Sequence, residues 1–246
     1  MKKTPVGFIM AGFALGVFYS GLWSQEKADP SLLTLERIFV SREFVPERFG
    51  PARWMKDGKS YTTVEDSSAA KDGREIILYS AETGEREVLI PAARLTPPGE
   101  KQPLPVDNYE WSADGKRMLL FTDSQRVWRQ NTRGDYWVLD LAAGTIQKLG
   151  AGLAPQSLMF AKFSPQGDRV AYVSQHNIYV EDLVSHRITP LTEDGTETLI
   201  NGTFDWVYEE EFGLRDGFRW SPDGAAIAFW QLDSSEVREF HLINNA

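Results

Sequence analysis

The chain of 246 residues is 42% hydrophobic, 12% aromatic and 25% charged, a globular composition far from the signature of disorder. Its 26 basic and 35 acidic residues leave a formal net charge of −9, the wrong sign for a phosphate-binding, nucleic-acid surface. Cysteine is absent, which excludes disulfides and thiolate metal sites, and the three histidines (His176, His186, His241) show no ligand spacing, so no metal is expected.

The first element is a targeting segment, residues 1–24. Lys2 and Lys3 precede "PVGFIMAGFALGVFYSGLW", and polar residues begin at Ser24 and Gln25. A basic stretch followed by a short apolar core is the pattern of a signal peptide. A run of about 18–20 apolar residues is also near the length that spans a bilayer, so a membrane anchor is the competing reading. The small residues Ser20, Gly21 and Ser24 suit cleavage near Ser24, while Trp23 does not. Either reading places the rest of the chain outside the cytoplasm, in the periplasm or the extracellular space. Residues 25–48 then lead into a repeat.

The repeat occupies residues 49–246. "ARWMKDGKSYTTVE" from Ala52, "YEWSADGKRMLLFT" from Tyr109, "AKFSPQGDRVAYVS" from Ala161 and "FRWSPDGAAIAFWQ" from Phe218 share an aromatic, a turn ending in glycine, and alternating apolar residues. The turn glycines Gly58, Gly115, Gly167 and Gly224 are 57, 52 and 57 residues apart. This is a β-hairpin signal. A second hairpin motif falls between them, in "LYSAETGEREVL", "VLDLAAGTIQKL" and "VEDLVSHRITPL". Two hairpins per period make a four-stranded antiparallel unit, so the expected fold is all-β, a β-propeller with about four blades present. A β-sandwich with chance hairpins is the alternative, and the fixed period speaks against it.

Two intervals break the period. Trp111 to Asp140 is 29 residues where Phe163 to Asp182 is 19, and the lengthened interval, ten residues longer, includes "SQRVWRQNTRGD" with Arg126, Arg129 and Arg133. Asp182 to Trp220 is 38 residues where Asp140 to Phe163 is 23, and the extra fifteen contain "DWVYEEE". Packing constrains blade strands and leaves loops free, so function is expected in these insertions. The triplet "NGT" at Asn201 matches a glycosylation acceptor.

Glu209, Glu210 and Glu211 are consecutive like charges between aromatic residues. On a strand neighbouring carboxylates point to opposite faces, whereas on a helical turn they are about 100° apart and can converge on one small cation. A short helix is therefore expected over Val207–Phe212, ended by Gly213. On residues alone, solvated surface remains the bland alternative for such a run.

"DWVYEEE" followed by "WSPDG" resembles the N-terminal propeller of the dipeptidyl peptidase IV family, in the prolyl oligopeptidase clan of serine peptidases. "LTLERIF" near Leu33, "FGPARWMKDG", "VWRQNTRGDYWVLDL" and "FWQLDSSEVREFHLINN" resemble further family segments, from about Leu32 to Ala246. The resemblance implies that Glu210 and Glu211 bind the free α-ammonium of a peptide. It also implies that Arg129 bonds a substrate backbone carbonyl, and it gives Glu209 a structural role. Arg126 and Arg133 are expected to be solvated or paired with acids. The implied activity is release of N-terminal dipeptides, with proline or alanine second, without a cofactor. The implied partners are peptides with a free N-terminus and the protein's own C-terminal hydrolase domain, and the resemblance allows a homodimer.

Family chemistry resides in an α/β-hydrolase domain with a G-x-S-x-G elbow, and none occurs in these residues. The chain is thus expected to be the N-terminal portion of a longer enzyme, inactive alone, with no catalytic residue of its own. A catalytically dead relative and a plain propeller binding module are the rival readings.

Overall fold

A computed structural model describes residues 29–243, apart from 30, 47, 48, 72, 239 and 242. The apolar run and the cleavage point near Ser24 lie outside the described residues. The chain divides into two compact units, residues 1–48 and 49–246. In the first, a π-helical turn over Glu36–Val40 is followed by a 3-10 turn over Arg42–Phe44, and Arg37 pairs with Glu43 across them.

The second unit follows the repeat. Strands β1 (Ala52–Trp54), β2 (Ser60–Asp66), β3 (Arg74–Ser80) and β4 (Arg86–Ile90) pair in order as an antiparallel meander. So do β5 (Val106–Trp111), β6 (Arg117–Val127), β7 (Gln130–Asp140) and β8 (Thr145–Lys148). The third blade is β9 (Leu158–Phe163), β10 (Arg169–Ser174), β11 (Asn177–Asp182) and β12 (Ile188–Pro190). The glycines that close the first hairpin of each unit, Gly58, Gly115, Gly167 and Gly224, have φ of 64°, 71°, 73° and 65°. A side chain there would meet its own backbone, which is why the repeat keeps glycine at this position.

Period-two alternation stacks the blades. From β6, Met118 and Leu120 enter one core with Val64, Ile76 and Tyr109, whereas Leu119 and Phe121 enter the next with Tyr136, Val170 and Tyr172. From β10, Val170 and Tyr172 face that second core, whereas Ala171 and Val173 face a third with Ile178 and Phe218. Each central strand is therefore buried on both faces, one blade to either side. Charge stitches the turns together as well: Arg117 donates to the Gly167 carbonyl at 2.8 Å, and Arg169 to the Gly224 carbonyl at 2.8 Å, each one blade onward.

The insertions depart from this regularity in different ways. β6 and β7 have 11 residues each, whereas their counterparts β10 and β11 have 6, so the ten extra residues lengthen one hairpin by five on each side. The lengthened β7 also pairs with β9 (Arg133↔Met159, Gly134↔Leu158), merging the second and third blades into one sheet. At that junction a Cβ on Gly134 would lie 2.6 Å from both the Phe121 ring and the Thr122 carbonyl oxygen, so a side chain would not fit.

The second insertion interrupts a strand. β13 (Leu199–Asn201) and β14 (Phe218–Trp220) pair with β16 (Gln231–Asp233) and β15 (Ile227–Phe229), which are separated only by Trp230. Residues 203–216 loop out between β13 and β14 and return: Gly217 N–H donates to the Gly202 carbonyl at 3.0 Å, and Thr203 bridges Asp216. Asn201, at the start of this excursion, is fully buried and donates to Asp194 at 2.9 Å. Its burial removes it as a glycan acceptor.

Candidate functional site

The excursion carries one helix, α1 (Trp206–Phe212), which begins one residue before the expected Val207. The Asp205 carboxylate accepts from the Tyr208 N–H at 3.0 Å, satisfying one of the amides that a helix N-terminus leaves open. Gly213, at φ 66°, ψ 18°, closes the other end by donating to the Glu209 carbonyl at 3.0 Å. One side of the helix is held by rings, Tyr208 lying between Phe204 (5.5 Å) and Phe212 (5.6 Å).

On this turn the three glutamates take different environments. The Glu209 side chain is 4% exposed and lies 3.1 Å from Arg215 Nε, on the chain returning from the helix. The Glu210 side chain is 15% exposed and lies 2.7 Å from Arg129 Nε. Glu211 is exposed, and among the described residues no cation lies within ion-pair reach of it. The two close contacts are charge pairs without hydrogen-bond alignment: Glu209 Oε1, Glu210 Oε1 and Arg215 Nε are buried and have no hydrogen-bond partner. Three carboxylates face two guanidinium groups, so the cluster keeps one uncompensated negative charge.

Arg129 reaches Glu210 from the tip of the β6–β7 hairpin, where only Trp128 and Arg129 separate the strands. Trp128 holds φ of 50°, a left-handed conformation that costs a bulky residue on the order of 1–2 kcal/mol. Arg126 is exposed and donates through Nε to the Trp128 carbonyl at 2.8 Å, and Arg133 is exposed in the β7–β9 junction. Neither has an acidic partner among the described residues.

The foot of the excursion is also charged. Lys162, on β9, pairs closely with Asp216, donates to the Phe218 carbonyl at 3.0 Å and lies 3.6 Å above the Phe218 ring. Burial pushes its ammonium down to about 8, against the raising pull of Asp216. Arg219 shares Asp216 at 2.8 Å. Together with Asn131 and Thr132 of the hairpin, and with Tyr136 and Phe160, these residues border an open cavity of about 490 Å³. Burial raises the Tyr136 phenol, which is therefore neutral.

Of the residues singled out from sequence, Arg129 and Glu210 are in contact and Glu211 is adjacent. Arg215, Asp216 and Lys162 were not foreseen. A signal for the first two was present in "GLRDG", where a charged dipeptide is enclosed by two glycines directly after the acidic run.

Residues 112–246, which include all three predicted site residues, match the family described as "Dipeptidyl peptidase IV (DPP IV) N-terminal region". The chain is 40% identical over 130 residues to a probable dipeptidyl-aminopeptidase B of Penicillium rubens, covering 52% of this chain and 14% of that protein. It is 40% identical over 141 residues to dipeptidyl aminopeptidase B of Saccharomyces cerevisiae, covering 56% and 17%. Its fold is similar to the crystal structure of Porphyromonas gingivalis dipeptidyl peptidase 4, with a TM-score of 0.67, 32% identity, and coverage of 78% of this chain and 26% of that one. The chain thus spans less than a fifth of the curated relatives it matches.

Proposed function

Because this chain belongs to the family of dipeptidyl peptidase IV N-terminal regions, we propose that it is the substrate-clamping propeller of a serine-type exopeptidase that releases dipeptides from free N-termini. The relatives' names support a dipeptidyl aminopeptidase. The observation that carries the clamp is the meeting of Arg129 and Glu210 from two separate insertions, with a buried Glu210 oxygen that no donor satisfies. An α-ammonium has a pKa of roughly 7.7–8 and is mostly cationic at neutral pH. Its three N–H donors supply what Glu210 lacks, and its charge complements Glu211.

A clamp at a fixed distance from the nucleophile measures off two residues, which makes the enzyme an exopeptidase. Arg129, exposed at its tip, is free to turn one donor edge toward a substrate carbonyl. The nucleophile and its partners belong to a hydrolase domain outside these residues, and the basic, apolar N-terminus directs the protein out of the cytoplasm. Proline or alanine is the proposed second residue.

The test is hydrolysis by the full-length protein of dipeptidyl chromogenic substrates with free and with acetylated N-termini. A kcat/KM at least about a hundredfold higher for the free amine is expected, since each tenfold is about 1.4 kcal/mol of transition-state binding. Equal rates on both substrates would remove the clamp, and no hydrolysis of either would favour a propeller that only binds.

A further inference from the structure

Glu209 is the member of the acidic run that the clamp does not use, and it is the most buried of the three. Its cation, Arg215, comes from the far side of Gly213, where the left-handed turn sends the chain back along α1. We propose that Arg215 is a positioning residue for substrate binding: by balancing the Glu209 carboxylate beneath the helix, it holds Glu210 and Glu211 toward Arg129. This inference rests on the ammonium-clamp reading.

The coupling follows from the helix. Successive residues on a helical turn are separated by about 100°, so a rotation that freed one carboxylate would carry the next two with it. The rings of Phe204, Tyr208 and Phe212 hold one side of α1, and Arg215 compensates the carboxylate buried beneath it. Without Arg215 the Glu209 carboxylate has no other cation within reach among the described residues. A buried charge that loses its partner must find water or move. Either response turns the helix, separating Glu210 from Arg129 and displacing both clamp carboxylates from a bound ammonium.

The pair can be tested in the full-length protein with Arg215→Met, Glu209→Gln and the double variant. Each is assayed on a free-amine dipeptidyl substrate and for the rate at which a fluorophosphonate without an amine labels the nucleophile. For Arg215→Met, KM should rise at least tenfold while kcat and the labelling rate stay within about threefold of wild type. The double variant has no unpaired buried charge, so it should fold even where the single variant does not, and its KM should return to within about threefold of wild type. Glu209→Gln alone should do little, because the partly exposed Arg215 can be solvated.

An unchanged KM in Arg215→Met would overturn the proposal. So would a labelling rate that falls in step with KM, which marks a general loss of structure, or a double variant as impaired as the single one. Failure of the clamp reading looks different: the wild-type protein would then fail to distinguish free from acetylated substrates, whatever Arg215 does.

Discussion

Arg129 Nε lies 2.7 Å from Glu210 Oε1, although the two residues are 81 positions apart and stand on insertions in different blades. Neither insertion makes a site alone. The hairpin brings a cation with an exposed side chain, and the excursion brings carboxylates of graded burial. Their meeting leaves one buried oxygen without a donor. An arrangement of this kind is poised to gain strength when a cationic donor arrives, because charge-assisted hydrogen bonds in a partly dry site are stronger than neutral ones.

Glu210→Gln or Glu211→Gln should reduce kcat/KM on free-amine substrates at least about a hundredfold, roughly 2.7 kcal/mol. That is below the 3–5 kcal/mol typical of breaking a fully buried pair, as water reaches this cluster. Arg129→Ala should weaken the same substrates, mainly through KM, as carbonyl anchoring is lost. Steady-state kinetics across the variants check this, and a normal kcat/KM in either glutamate variant would remove that carboxylate from the clamp.

Gly217 closes the excursion against Gly202. A Cβ at this position would lie 3.0 Å from the Gly202 carbonyl carbon and 3.1 Å from both its oxygen and Thr203 N. These are backbone atoms, so the foot of the excursion must shift. Gly217→Ala should cost about 1–3 kcal/mol of stability and raise KM for free-amine substrates at least tenfold. Gly58→Ala is the control: its φ is 64° but no atom beyond its own chain neighbours lies within 4 Å of the added Cβ. It should cost about 1 kcal/mol and leave KM alone. Thermal denaturation and steady-state kinetics separate the two, and equal KM values in both variants would show that the closure does not place the acids.

Lys162 sets a pH dependence. Its folded value is lowered from 10.5 to about 8, so between these values the unfolded chain binds more protons than the folded one. Stability from this group therefore rises with pH across that window, and below pH 8 the fold bears the whole cost of burying the ammonium. The rise is on the order of 3 kcal/mol. Urea denaturation at pH 7.5 and pH 10 should show wild type gaining on Lys162→Met by that order. Parallel pH dependence of the two proteins would show that Lys162 is not desolvated in solution.

Much of the architecture was legible in the sequence because its causes are local. A turn glycine followed by alternating apolar residues specifies a hairpin through neighbouring atoms alone, and repetition of that pattern identified blades. The interval lengths were equally informative: ten extra residues became five added to each strand of one hairpin, since a β-hairpin grows in pairs. The helix was readable from its helix-forming acids and the terminating Gly213, and its start differed by one residue.

Relationships between distant segments required the tertiary structure. Nothing near Arg133 or Gly134 in sequence announces that β7 will pair with β9 as well as with β6, because that depends on how closely two blades approach. Consecutive glutamates are chemically identical in the sequence. Only packing made one buried and paired with Arg215, one nearly buried and paired with Arg129, and one exposed. Residue type and spacing alone determined that a negative cluster would stand on a helical turn in an all-β chain. Which carboxylate faces the protein and which faces outward was decided by the return of the chain past Gly213, since burial of a charge is tolerated only where a distant cation is brought to meet it.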